Sequence, residues 1–88
     1  MRIIKIKVNS RYKKFFRNFP FAIQAKSVEK INIFVKNAFD SQLRTHFLSG
    51  KDKECWAFWI DYHYRIKFIF LSDGEVLFLH IGTHDIYK

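Results

Sequence analysis

The sequence has little of the residues that build disulfide scaffolds, flexible linkers or membrane spans. It holds one cysteine, one proline and three glycines among 88 residues. A single cysteine, Cys55, cannot form an internal disulfide or a multi-cysteine zinc site, and we expect it to be a small buried hydrophobic residue. No run approaches the roughly 18 apolar residues of a membrane helix, and the basic N-terminus lacks the apolar segment of a signal peptide. We therefore expect one cytoplasmic domain, residues 1–88, without a membrane partner.

Aromatic and basic residues are what the sequence has in quantity. Eleven Phe, four Tyr and two Trp can fill the single core of a small domain. Residues 1–36 carry ten basic residues and one acid, a formal charge of +9, whereas residues 37–88 sum to −1. Such asymmetry is typical of a protein attracted to a polyanion, although a purely solubilising role is the alternative.

Asp73-Gly74, flanked by two apolar runs, predicts a β-hairpin with a type I′ turn, which needs positive φ at both central residues. A two-residue turn would oppose these pairs: Leu71–Val76, Lys67–His80, Arg65–Gly82 and His63–His84. One face would then carry imidazoles and cations from His63, Arg65, Lys67, His80 and His84. The other face would be apolar, formed by Tyr64, Ile66, Phe68, Phe70, Leu77, Leu79 and Ile81.

The residues before the hairpin predict a strand, two helices and a further strand. Alternation predicts a strand over Arg2–Val8, and Ser10 is a candidate N-cap for a short basic helix. Pro20 interrupts that helix and can begin a second one, to about Phe39, with an apolar stripe of Phe21, Val28, Ile31, Val35 and Ala38. Residues 40–53 read as a loop anchored by Leu43 and Leu48, and residues 54–61 as a strand. The order β-α-α-β-β-β is an α+β fold with two helices on one face of a mostly antiparallel sheet.

Four short motifs occur in a fixed order along the second half of the chain. They are Arg44-Thr45-His46-Phe47-Leu48-Ser49-Gly50-Lys51, Trp56-Ala57-Phe58, Asp61-Tyr62 with Tyr64-Arg65-Ile66, and Ile81-Gly82-Thr83-His84-Asp85. Their joint order and spacing resemble the RelE branch of the RelE/ParE toxin superfamily. The resemblance implies a RelE-like microbial RNase fold and a toxin of a toxin–antitoxin pair that is monomeric without its antitoxin. Many members of that branch cleave mRNA in the ribosomal A site. The chain departs from the family at Glu54-Cys55, where a small or glycine-containing turn is usual.

Metal-free RNA cleavage needs groups that remove the 2′-hydroxyl proton, stabilise charge on phosphorus and protonate the leaving 5′-oxygen. Imidazole, with an ordinary pKa near 6.5, can do the proton transfers, and a guanidinium can hold phosphate oxygens in a planar fork. We therefore expect Arg65 to be the phosphate clamp; the alternative is a strand arginine that pairs with Asp61 or Asp85. No cofactor or metal is expected, because the histidines show no local ligand motif.

The resemblance completes the set of expected site residues. It places His84 and His46 at proton-transfer positions, without saying which is acid and which is base. The remaining candidates are His63 and Tyr87 for catalysis and Arg44, Lys51, Lys53 and Lys67 for RNA binding. Tyr87 lies three residues after His84, whereas the terminal aromatic of family members commonly lies four residues after the histidine. Each of these residues also has a plainer reading as a turn, surface or solubilising residue.

Three functions are compatible with this sequence. The first is an endoribonuclease toxin that acts with the ribosome, with mRNA, the ribosome and a cognate antitoxin as partners. The second is a ParE-like inhibitor of DNA gyrase, which needs no acid and base residues. The third is a non-catalytic domain that binds RNA or an acidic protein.

Overall fold

The computed structural model describes residues 1–48 and 54–83, and they form an α+β fold. Its strands are β1 (Lys5–Val8), β2 (His46–Phe47), β3 (Cys55–Trp59), β4 (Tyr64–Ser72) and β5 (Glu75–Thr83). Its helices are α1 (Ser10–Asn18), α2 (Phe21–Lys36) and a 3₁₀ turn over Ser41–Leu43. The strands form one sheet in the order β1-β5-β4-β3-β2. Because β1 runs parallel to β5 and the other pairs are antiparallel, the sheet is mixed.

Aromatic rings fill the core between the helices and one face of the sheet. Phe34 of α2 stacks on Phe58 of β3, with ring centroids 4.5 Å apart, and meets Phe68 of β4 edge-on at 5.0 Å. All three side chains are fully buried. Tyr12 of α1 packs on Phe78 of β5 at 5.3 Å, and burial raises the pKa of its phenol to about 12. No helix of the described residues covers the opposite face of the sheet, which is called the open face below.

The first helix begins one residue earlier than predicted, because its cap is Asn9 rather than Ser10. The Asn9 side-chain oxygen accepts a hydrogen bond from the backbone N–H of Tyr12 at 2.8 Å. Asn9 has extended backbone angles, which suit an N-cap, whereas Ser10 is already helical.

The second helix ends earlier than predicted and buries a different stripe. It stops at Lys36 because Asn37 is extended and its side chain accepts from the Phe39 N–H at 3.1 Å. The predicted stripe residues Phe21 and Val28 are 84% and 52% exposed, whereas Phe34 is fully buried. The stripe prediction was wrong for these two residues because α2 carries apolar side chains around most of its circumference, so spacing alone does not select the buried face.

The predicted loop contains more structure than its composition indicated. Leu43 and Leu48 are buried, which confirms them as anchors. Between them, β2 pairs with β3 and extends the sheet by one short strand. Cys55, at the start of β3, is buried, as expected.

The turn between β4 and β5 is not of type I′. Gly74 has φ +76°, but Asp73 is not in the positive-φ region that a type I′ turn requires of both residues. The two-residue turns that match the strand twist, types I′ and II′, both need positive φ at the first central residue, which Asp73 lacks. An irregularity in β4 lies beside this turn, between Phe70 and Ser72.

Two compensating register shifts divide the hairpin. Leu71 is an extra residue on β4, so Phe70 rather than Leu71 faces Val76; Leu79 is an extra residue on β5. The shifts cancel, and the predicted pairs Lys67–His80 and Arg65–Gly82 are present. Between the shifts the prediction was wrong: Val76 and Phe78 line the core, while Leu77 pairs with Ile69 on the open face, where Leu79 packs as well.

Within the two described ranges, no helix has the length and apolar character needed to cross a membrane.

Candidate functional site

Two rows of side chains cross the open face of the sheet. Cross-strand pairing puts His46, Ala57, Lys67 and His80 in one row over β2, β3, β4 and β5. The neighbouring row holds Trp59, Arg65 and Gly82. Since adjacent strands lie about 4.8 Å apart, the backbones of His46 and Lys67 are about 10 Å apart, with the small Ala57 between them.

His46 is held in one tautomer by its neighbour. Its Nδ1 lies 2.8 Å from the carbonyl oxygen of Arg44. A carbonyl oxygen only accepts, so Nδ1 carries the hydrogen in this contact and Nε2 is the nitrogen that can take up a proton. Arg44 adopts the left-handed conformation, with φ +50°, at the end of the 3₁₀ turn, and this conformation directs its carbonyl toward the imidazole.

Arg65 is a buried arginine, only 7% exposed. Its Nη1 donates to three backbone carbonyl oxygens: those of Asp61, Tyr62 and Tyr64, at 2.7, 2.8 and 3.2 Å. Its guanidinium carbon lies 3.9 Å from the centre of the Trp59 ring. Nε is buried and has no hydrogen-bond partner among the described residues. The alternative pairing of Arg65 with the Asp61 carboxylate is not formed; Arg65 bonds the carbonyl of Asp61 instead.

Residues 61–63 form a tight loop that ends at Tyr64, the first residue of β4, and Asp61 organises this loop. The Asp61 carboxylate accepts from the backbone N–H groups of His63 and Tyr64, both at 2.8 Å, and lies 3.7 Å from Lys26 Nζ of α2. Burial raises the pKa of Asp61, but those two hydrogen bonds and the charges of Lys26 and His63 together lower it below its ordinary value. His63 is exposed on this loop rather than in a strand.

The Trp59 ring contacts both the loop and the cationic residues of the open face. Besides Arg65, it meets the exposed Arg44, whose guanidinium carbon is 4.6 Å from the ring centre. Tyr62 meets Trp59 edge-on, with centroids 6.0 Å apart. The two tryptophans face opposite ways, since Trp56 packs against the core.

A groove lies beside the open face, between α1 and the part of β5 that extends past β1. It has a volume of about 450 Å³ and is lined by Arg11, Phe15, Phe19, Tyr64, His80, Ile81, Gly82 and Thr83. His80 meets the Phe15 ring edge-on at 4.6 Å. Burial, followed by the charges of Arg11 and Lys67, lowers the pKa of His80. Its Nδ1 is buried without a hydrogen-bond partner in the part of the chain that the structure describes.

The structure thus brings together Arg44, His46, Arg65 and Lys67 of the expected site residues, and puts His63 on the adjoining loop. His84, Tyr87, Lys51 and Lys53 lie outside the described residues, and their roles stay predictions. No group of three or more His, Cys, Asp or Glu residues within residues 1–48 and 54–83 could hold a metal ion. Spacing did not indicate Tyr62, although its place beside Asp61 in the third motif was a signal.

Comparison with known proteins finds solved structures of similar fold but no relative by sequence. No family model matches the chain, and no curated protein matches its sequence. Among solved structures, a YoeB/ParE toxin from Agrobacterium tumefaciens matches with a TM-score of 0.75 at 14% identity, over 92% of this chain and 99% of that one. A chain of the RelE–RelB complex from Pyrococcus horikoshii OT3 matches with a TM-score of 0.71 at 14% identity, over 94% and 96%. A chain of the DinJ–YafQ complex from E. coli matches with a TM-score of 0.68 at 16% identity, over 98% and 97%.

These matches span nearly the whole length of each chain. They show that this protein has the fold of the RelE/ParE superfamily toxins, as its motifs indicated.

Proposed function

We propose that this protein is the toxin of a type II toxin–antitoxin system and that it cleaves mRNA on the ribosome. The toxin fold supports the first part of this proposal. One observation carries the second: on the open face His46 is fixed with Nε2 as its proton-accepting nitrogen, in the row that holds Lys67 and beside the row that holds Arg65. A small enzyme with few catalytic groups can take the remaining positioning from a larger assembly such as the ribosome.

The proposed reaction uses the RNA's own nucleophile. His46 Nε2 takes the proton of a 2′-hydroxyl, the 2′-oxygen attacks the adjacent phosphorus, and the P–O5′ bond breaks. The products are a 2′,3′-cyclic phosphate and a 5′-hydroxyl. His84 is the proposed acid that protonates the leaving oxygen, with Tyr87 and His63 as further candidates for proton transfer.

Cations on the open face would stabilise the negative charge that gathers on phosphorus. Arg44 and Lys67 are the described candidates for direct phosphate contact, and Lys51 and Lys53 are proposed to guide the RNA. Arg65 has one nitrogen engaged with three carbonyls. We therefore propose that Arg65 acts through its charge and through the loop it orders, and its direct contact with phosphate stays a prediction.

The test is cleavage of ribosome-bound mRNA in vitro, with RNA alone in a parallel reaction. We expect His46→Ala, His84→Ala and Arg65→Ala each to lose well over tenfold in rate. His80→Gln is the matched histidine control and should stay within about twofold. His80 is at the opposite end of the row from His46, on β5 rather than β2, and its ring packs against Phe15 of α1. Full activity of His46→Ala would refute the assignment, and inhibition of DNA supercoiling with intact mRNA would favour the gyrase alternative.

We also propose a cognate antitoxin that uses the groove between α1 and β5. The groove combines the Phe15 and Phe19 rings with the guanidinium of Arg11, which suits a segment with apolar and acidic side chains. Co-purification with a small acidic protein encoded next door would support this partner. Arg11→Glu should then weaken the complex at least tenfold without affecting mRNA cleavage by the free toxin, and an unchanged complex would rule out this groove.

A further inference from the structure

We infer that residues 61–64 form a preorganised platform on which an unpaired RNA base stacks, with Tyr62 as the stacking ring. This inference rests on the proposed function, because it names the part of an RNA substrate that the loop beside the open face would hold. Neither the spacing of the chain nor its resemblance to the toxins assigns a role to Tyr62.

The platform's backbone is fixed from both sides. From within the loop, Asp61 accepts the N–H groups of His63 and Tyr64. From the strand, Arg65 Nη1 donates to the carbonyl oxygens of Asp61, Tyr62 and Tyr64. Five hydrogen bonds therefore hold four residues, two of which, Tyr62 and His63, are exposed. A loop held in this way loses little conformational entropy when a ligand binds.

The ring of Tyr62 is exposed and yet oriented. Tyr62 is 75% exposed. An exposed aromatic residue alone indicates nothing about function. Here, however, the ring meets Trp59 at an interplanar angle of 89° and His63 at 88°, with centroids 6.0 and 5.3 Å away. Trp59 is itself in contact with the guanidinium of Arg65 at 3.9 Å. The ring is thus presented to solvent in a defined direction.

The surroundings of Tyr62 favour a nucleic-acid base over another apolar ligand. Arg44 and Arg65 lie against Trp59, next to Tyr62, and can attract a phosphate backbone. The nearby acid, Asp61, is already engaged by its own loop and by Lys26. Aromatic rings beside cations stack unpaired bases with little dependence on base identity. We therefore expect any single-stranded RNA base to stack here, with phosphate contacts setting its position.

The test is fluorescence of a single-stranded RNA heptamer that carries 2-aminopurine at its centre, since stacking on an aromatic ring quenches this base. We expect quenching by the wild-type protein and by Tyr62→Phe. Tyr62→Ala should remove the quenching and weaken binding by about fivefold to a hundredfold. Phe21→Ala is the matched control, because Phe21 is 84% exposed on α2, and this variant should behave like wild type. The slope of log affinity against log salt should be the same for wild type and Tyr62→Ala, because no charge is removed.

Equal quenching by Tyr62→Ala and wild type, or none by wild type, would overturn the platform. Cleavage of ribosome-bound mRNA is measured in a separate assay. If the heptamer is quenched through Tyr62 but ribosome-bound mRNA stays intact, the nuclease proposal fails and the platform stands. If mRNA is cleaved with no dependence on Tyr62 in either assay, the platform fails and the nuclease proposal stands.

Within this platform Arg65 is a positioning residue, and Arg65→Lys tests that role. Lysine keeps the charge but lacks the planar group that lies on Trp59. Quenching should fall while the salt slope is unchanged, and the double variant Arg65→Lys/Tyr62→Ala should bind no more weakly than Tyr62→Ala alone. Additive losses in the double variant would show that Arg65 contacts the RNA itself. If Arg65→Lys does not fold, the Tyr62 variants still decide the platform.

Discussion

The guanidinium of Arg65 lies 3.9 Å from the centre of the Trp59 ring, on the face of the sheet away from the helices. An arginine that is 7% exposed and bonded to three carbonyls contributes to the fold itself. Its positive charge can nevertheless attract an anionic ligand on that face without direct contact.

Replacing Arg65 should therefore destabilise the protein. Arg65→Ala removes the side-chain donor of the Asp61 and Tyr62 carbonyl oxygens, whereas the Tyr64 carbonyl keeps the Ile60 N–H at 2.9 Å. We expect a loss of about 2–4 kcal/mol in the free energy of unfolding. Arg44→Ala is the control. Arg44 is exposed and also contacts Trp59, so its loss should be under about 1 kcal/mol. Urea denaturation followed by tryptophan fluorescence measures both. Equal losses in the two variants would mean that Arg65 is not anchored as described.

Low pH should destabilise the protein by protonating the Asp61 carboxylate. The folded state lowers the pKa of this carboxyl below its ordinary value of 3.8. The carboxylate therefore adds stability that is complete above pH 3.8 and is lost as the pH falls through the lower, folded-state pKa. Asp61→Asn keeps an oxygen acceptor but cannot titrate. Thermal unfolding between pH 7 and pH 2 should show a steeper loss at the acid end for wild type than for this variant, and parallel curves would contradict the assignment.

His80 should make stability depend on pH in a range above that of Asp61. Burial and the charges of Arg11 and Lys67 lower its folded-state pKa below the ordinary 6.5, so the unfolded chain takes up a proton first. Stability is then complete above pH 6.5 and falls as the pH drops from 6.5 to the folded-state pKa. His80→Gln should remove this part of the slope. The melting temperature of the two proteins between pH 7.5 and 5 provides the comparison, and an unchanged slope in the variant would place the titration elsewhere.

The predicted pairing of Lys67 with His80 is correct only because two bulges in the hairpin cancel each other. The extra residues Leu71 and Leu79 lie on opposite strands and shift the pairing in opposite directions, so Lys67 still faces His80. Both extra residues are leucines in runs that are apolar on both faces, so alternation could not reveal the bulges. The faces of Leu77 and Leu79 were consequently mispredicted.

The role of Arg65 could not be read from spacing either. Its position opposite Gly82 follows from the register, but its burial depends on how the backbone of residues 61–64 turns its carbonyls inward. Motif resemblance gives the position of a residue type and does not give the hydrogen bonds that the position makes. Likewise, the sequence does not reveal the tautomer of His46, because it depends on the hydrogen bond to the carbonyl of Arg44 and on the left-handed backbone of that residue.

The start of α1 offers a test in which two adjacent residues predict different outcomes. Sequence favoured Ser10 as the N-cap, whereas Asn9 makes the capping hydrogen bond to the Tyr12 N–H. Asn9→Ala should cost about 1 kcal/mol of unfolding free energy, because that N–H loses its acceptor at the end of a nine-residue helix. Ser10→Ala should change stability by less than about 0.5 kcal/mol, since alanine is the better residue inside a helix. Urea denaturation of both variants decides the cap, and a larger loss for Ser10→Ala would move the helix start by one residue.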